Sequence, residues 1–125
     1  MTQILQLPQL SGSLAFANNA DLLMAWQFVV TGTTTAIDIT GIDFHMQIRL
    51  AADLTQLALD VSTWKGTLIN GGATGVLGLI VPKEALYPIA AGAYVADCLA
   101  LGDGATVNLC GAAPIAVTVN EGITV

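Results

Sequence analysis

The chain has 125 residues, 54% of them hydrophobic and only 10% charged, and its formal net charge of −6 leaves Arg49, Lys65 and Lys83 as the strong cations. That length suits one ordinary domain, and a chain this apolar buries enough surface to fold, which excludes disorder. Three scattered cations cannot displace the counterions that nucleic-acid binding demands, and so few charges cannot cover the surface, so part of it is expected to lie against a partner.

Met1 to Gly12 shows neither the helical nor the strand period. Leu5, Leu7 and Leu10 are apolar and Pro8 blocks a helix interior. The segment reads as an N-terminal arm or first strand (residues 1–12), with Leu5 and Leu7 packing on an adjacent subunit. Ala15-Phe16-Ala17 imitates a signal-cleavage site, but no Lys or Arg precedes it and Gln3, Gln6, Pro8, Gln9 and Gly12 interrupt any apolar run. The N-terminus therefore reads as mature and the protein as made in the cytoplasm. Leu14 to Ala17 predicts a short strand, and Asn18-Asn19-Ala20-Asp21 a turn.

Leu23 to Val30, LMAWQFVV, predicts a strand with Trp26, Phe28 and Val30 on one face. After a Thr- and Gly-rich loop, Phe44, Met46, Ile48 and Leu50 alternate with His45, Gln47 and Arg49, the clearest period of two in the chain. Asp53 to Gln56 predicts a helical turn, and Leu57–Val61, Thr67–Asn70 and Gly75–Val81 short strands, the last ended by Pro82. Lys83 to Leu86 is at most one helical turn before Pro88. Ala93–Leu101 and Thr106–Cys110 read as a hairpin about Gly102-Asp103-Gly104, and Ile115–Val119 closes the set. No helix-period segment reaches a usual helix length, and no window spans a membrane, since Pro82, Lys83, Glu84, Pro88 and Asp97 break the longest apolar region. Eight or nine short strands with Gly-, Asn- and Asp-rich connections predict an all-β fold. We read it as a single immunoglobulin-like antiparallel β-sandwich over residues 13–125, in preference to a barrel.

Cys98 and Cys110 lie on opposite arms of the hairpin and sit face to face if the turn centres on Gly104, so a cross-strand disulfide is conceivable. Small buried thiols of a reducing compartment are the preferred reading. On the Ala93–Leu101 strand, Tyr94, Ala96, Cys98 and Ala100 suit the core, which leaves Val95, Leu99 and Leu101 outside with Asp97. A neighbouring subunit covering those three would gain ~1.5–3 kcal/mol for each. The inverted register, with Val95 and Leu99 inside, would expose Tyr94. Arg49 and Asp97 are expected to pair across neighbouring strands, worth ~0.2–1 kcal/mol. Tyr94, two residues after Gly92, resembles the corner tyrosine that ties a sandwich edge. Trp26 reads as core; Trp64, beside a loop, reads as an exposed interface anchor.

Signals for chemistry are weak throughout. His45 has no Cys, Asp or Glu at ligand spacing, so it reads as a polar strand residue and no metal is expected. Ser11, Ser13 and Ser62 lack nucleophile context, Gly71-Gly72-Ala73-Thr74-Gly75 lacks the lysine and helix of a phosphate loop, and no acidic cluster has calcium-loop spacing. No cofactor is expected, and an enzyme ranks last among the function classes.

The order of pieces adds a resemblance. IDITGIDFHMQIR, then LALDVST, GVLGLIVP, AAGAYVADCLAL and DGATVNLCGAAPIAVTV resemble, from about Leu14 to Val119, a family of small phage and prophage structural proteins. That pattern runs D-L-T-G through a later R, then G-x-Y-x-x-D-L, a Gly turn and a final G-x-x-x-V. Here Ala96 and Cys98 stand where the family usually has a second aromatic and a leucine. The resemblance implies a non-enzymatic virion component near the tail, baseplate or tail fibre, made in the host cytoplasm. Its partners would be other virion proteins and further copies of itself, with no nucleic acid and no membrane. Capsid decoration is the alternative, and a receptor- or carbohydrate-binding module the other open class.

Overall fold

The computed structural model describes residues 7–111 and 113–124. Among them nine strands form: β1 (Ser13–Ala17), β2 (Leu22–Gln27), β3 (Asp43–Leu50), β4 (Asp53–Ser62), β5 (Leu68–Asn70), β6 (Val76–Val81), β7 (Gly92–Gly102), β8 (Ala105–Asn108) and β9 (Ile115–Asn120). Helix among these residues is confined to a 3₁₀ turn, Gly72–Thr74, and one α-turn, α1 (Lys83–Leu86). One sheet runs β4-β3-β7-β9-β1, and the other β2-β6-β5. β9 pairs with β7 over Gly92–Ala96, and β8 takes the rest of the same edge over Leu99–Gly102. The β1–β9 ladder is parallel and every other ladder antiparallel. The protein is an all-β sandwich.

The alternation of β3 does what its sequence predicts. Phe44, Met46 and Ile48 are buried, while His45, Gln47 and Arg49 face out half-buried. β7 follows the expected register, with Tyr94, Ala96, Cys98 and Ala100 inside, so the inverted alternative does not occur. From the opposite sheet come Leu22, Leu68, Leu77, Leu79 and Val81. Phe28, just past β2, stacks on Phe44 with ring centroids 5.9 Å apart and an interplanar angle of 13°, joining the two layers. Tyr94 closes the edge where α1 leads into β7: its hydroxyl donates to the Ala90 carbonyl at 2.6 Å.

Several expectations need correction. Asp53 to Gln56 is strand, not a helical turn. The Asp53 carboxylate accepts the Thr55 N–H and hydroxyl. The β3–β4 register then slips from Ile48↔Leu59 to Arg49↔Leu57 to Leu50↔Asp53, so the extra residues bulge outward. β2 stops at Gln27, and Val30, expected to share a strand face with Trp26 and Phe28, lies past the strand and is exposed beside an isolated bridge between Val29 and Ala36. The hairpin turn is the pair Asp103-Gly104, with φ of 52° and 74°. Two positive φ values define the turn whose twist matches its flanking strands, and Asp-Gly is a favoured pair for it. The turn therefore centres between those residues rather than on Gly104. Cys98 consequently lies beside Leu109, whose N–H donates to its carbonyl, and Cys110 falls beyond β8. Both thiols are free and buried. Burial pushes the Cys98 thiol up to about 12, and it raises Cys110 too.

Leu7, expected on a neighbour, belongs to the molecule's own core, as does Leu10, whose N–H donates to the Leu109 carbonyl at 2.8 Å. Leu5 lies outside the described residues. Among the described residues no helix is long and apolar enough to cross a membrane.

Candidate functional site

The two outer faces of the sandwich differ in chemistry. On the six-stranded sheet, β3 and β4 place planar polar side chains in a row. The register sets Gln47 opposite Asp60 and His45 opposite Ser62, which brings His45 and Gln47 to either side of one carboxylate. Asp60 Oδ1 is 3.0 Å from His45 Nε2 and accepts from Lys65 Nζ at 3.1 Å, while Oδ2 accepts from Gln47 Nε2 at 2.8 Å. Gln47 Oε1 in turn accepts from Arg49 at 2.8 Å, and Arg49 also donates to the Leu54 carbonyl at 3.2 Å. At the far end the His45 ring tilts against Trp64, centroids 5.0 Å apart. Trp64 stands on the β4–β5 turn and is 57% exposed, as expected of it.

Burial pulls the Asp60 carboxyl upward, but hydrogen bonds from Gln47, Lys65 and His45 outweigh it and leave the group below its ordinary value. The sign follows directly. A carboxyl depressed by folding contributes stability above its unfolded pKa, about 3.9, and loses it as pH falls through the lower folded value. Asp60→Asn is therefore expected to flatten the acid limb of a stability–pH curve below about pH 4. Urea midpoints measured from pH 7 to pH 2 check this, and parallel acid limbs for the two proteins would refute it.

Arg49 and Asp97 do not form the expected ion pair. Gln47 lies opposite Asp97, and Arg49 opposite Val95. The guanidinium is taken by Gln47 and Leu54, and Asp97 accepts from Asn108 at 3.0 Å. The structure instead sets the two side chains on the wall of one depression of about 230 Å³, with Gln47, Leu54, Val95, Ala96 and Pro114. Among the described residues the ion pairs are Asp60 with His45 and with Lys65, and no group of three or more His, Cys, Asp or Glu is placed to hold a metal ion.

Val95, Leu99 and Leu101 do face outward, yet they are half-buried within the molecule itself. Arg49 lies across from Val95, His45 and Asn108 flank Leu99, and Asp43 and Thr106 flank Leu101. They are not an open apolar patch. That patch is on the other sheet. β2 turns out Leu23, Ala25 and Gln27; β6 turns out Val76, Gly78 and Ile80; β5 adds Ile69. Leu23 lies opposite Ile80, while Ala25 and Ile69 flank Gly78. Leu23, Ile80 and Ile69 are 68%, 49% and 45% exposed, and none of these seven residues is charged.

None of the known protein-family models matches the chain, and none of the curated proteins does.

Proposed function

We propose that the chain is a non-enzymatic structural component of a phage particle, associated with the tail, baseplate or tail fibre, which works by assembly with copies of itself and with other virion proteins. The observation that carries the assembly reading is the uncharged outer face of the three-stranded sheet. An antiparallel sheet with one face on the core ordinarily turns polar residues to water on the other. Here Leu23 and Ile80 form an exposed cross-strand pair instead, and such a patch marks an interaction surface.

The immunoglobulin-like part of this reading is supported by strand order. Taken in turn, β2 to β7 match strands B, C, C′, D, E and F, with β8 and β9 sharing the place of G. One sheet then carries C′, C, F and G, and the other B, E and D. The Tyr94–Ala90 bond has the form of the corner found at the start of strand F. The virion part is supported by the ordered motifs from Leu14 to Val119.

Ile80→Lys and Leu23→Lys are expected to abolish self-association of the purified chain while shifting the urea midpoint little, because both side chains are largely out of the core. Sedimentation velocity across a hundred-fold concentration range reads the first effect. A native chain that stays a single-copy species throughout, or lysine variants that associate as the native chain does, would refute the assembly reading. Mass spectrometry of purified particles from the encoding strain tests the virion reading, and absence of the chain from them overturns it.

A further inference from the structure

The opposite face carries an arrangement that assembly does not use. Asp60 is the hub of one continuous hydrogen-bonded row. Through His45 it fixes the ring against which Trp64 leans, and through Gln47 it fixes Arg49. From His45 to Arg49 the row covers about 13 Å of strand. Its ends are unlike. At one stands an exposed indole. At the other lies the depression of about 230 Å³, where Arg49 and Asp97 share a wall with Leu54, Val95, Ala96 and Pro114.

Both charged groups keep spare capacity there. A guanidinium has five N–H donors, and Arg49 uses two of them, one on the Gln47 oxygen and one on the Leu54 carbonyl. Asp97 accepts from Asn108 through Oδ2, and Oδ1 has no hydrogen bond among the described residues. A guest in the depression must offer acceptors to a cation and donors to a carboxylate from neighbouring atoms, on a body whose remaining surface is apolar. Adjacent hydroxyls on a sugar ring meet both demands, since each one donates and accepts, and the C–H face of the ring suits Val95, Leu54 and Pro114. An exposed indole offers a second such ring a flat apolar platform.

Other guests fit less well. A peptide strand needs a free sheet edge for its main chain; β3 and β7 are interior strands, and β4, the edge strand of this sheet, bulges beside the depression, which blunts it for strand pairing. Phosphates and acidic glycans meet Asp60 and Asp97 on a chain of net charge −6. We propose that this strip binds a neutral oligosaccharide, with one ring seated between Arg49 and Asp97 and another stacked on Trp64. The proposal does not rest on the assembly reading, because the two surfaces lie on opposite faces of the sandwich.

The test uses the full chain on an array of microbial glycans that includes maltohexaose, cellohexaose and chitohexaose, followed by calorimetry with the best-retained neutral glycan. Trp64→Ala and Arg49→Gln are each expected to weaken binding about ten-fold or more, and Ile80→Lys to leave it unchanged. Urea midpoints near that of the native chain show that the variants fold. Three outcomes would overturn the proposal: no glycan retained above buffer, retention of polyanionic glycans alone, or neutral-glycan binding that survives both substitutions. A protein captured through this face in place of any glycan would also overturn it. If Ile80→Lys loses self-association yet still binds glycan, the two readings are separated.

Discussion

Phe44→Ala is expected to lower stability by about 4 kcal/mol. Phe44 is fully buried on β3, an interior strand, and its ring stacks on Phe28 from the opposite layer. Alanine would remove the transfer free energy of the ring and leave a void between two sheets, neither of which can move alone. The Phe44 N–H is held by the Thr63 hydroxyl at 3.1 Å, which limits backbone relaxation into that void. Domains are stable by only about 5–15 kcal/mol, so the variant would sit near the edge of folding. Urea unfolding with an unchanged slope and a strongly lowered midpoint is the expected result. A loss below about 1.5 kcal/mol, the range of a tolerated repacking, would show that this stack does not join the layers.

Gly75→Ala is expected to cost about 3 kcal/mol or more, from two causes that add. The backbone at Gly75 has φ of +70°, which penalises any Cβ. That Cβ would also lie 2.7 Å from the Phe28 carbonyl oxygen and 2.8 Å from the Ile37 carbonyl oxygen. Neither obstacle is a side chain that can swing away. Both belong to the junction where Phe28 donates to Gly75 and Ile37 donates to Phe28. Gly12→Ala makes the comparison: its φ is +105°, yet nothing lies within 4 Å of the added carbon. Thermal unfolding of the pair should show a much larger drop for Gly75→Ala, and equal drops would leave only the dihedral cost.

Local patterns carried the fold. The alternation of β3, the Asp-Gly turn and the Pro82 stop could be read because each depends on residues close in sequence. What failed depended on pairing. A half-residue difference in the turn centre sets Leu109, not Cys110, opposite Cys98, and the slips between β3 and β4 turned an expected helical turn into a bulged edge. Those slips also decide that Asp60 meets Gln47 and His45. Nothing around Asp60 in the chain marks it as a hub, so the polar row was invisible, although Trp64 was recognised as exposed. Composition predicts an uncovered apolar face; the sequence points to Val95, Leu99 and Leu101 of β7, whereas the more exposed apolar side chains are Leu23, Ile80 and Ile69 on the three-stranded sheet. LLMAWQ and VLGLIV contain no charge, which is the signal for Leu23 and Ile80; an uninterrupted apolar run reads equally well as a strand buried on both sides.

The parallel ladder of β1 on β9 has a mechanical side. Ser13 lies beside Ala116 and Ala17 beside Asn120, so the polypeptide enters this pair at one pole and leaves it at the other. Tension on the two ends would slide the strands lengthwise, stretching the evenly spaced, slanted bonds of the ladder together instead of peeling them one after another. Asn18, which donates to the Ile89 carbonyl and accepts the Gly122 N–H, rivets the exit pole to the body. Such a module is braced against pulling along its own chain.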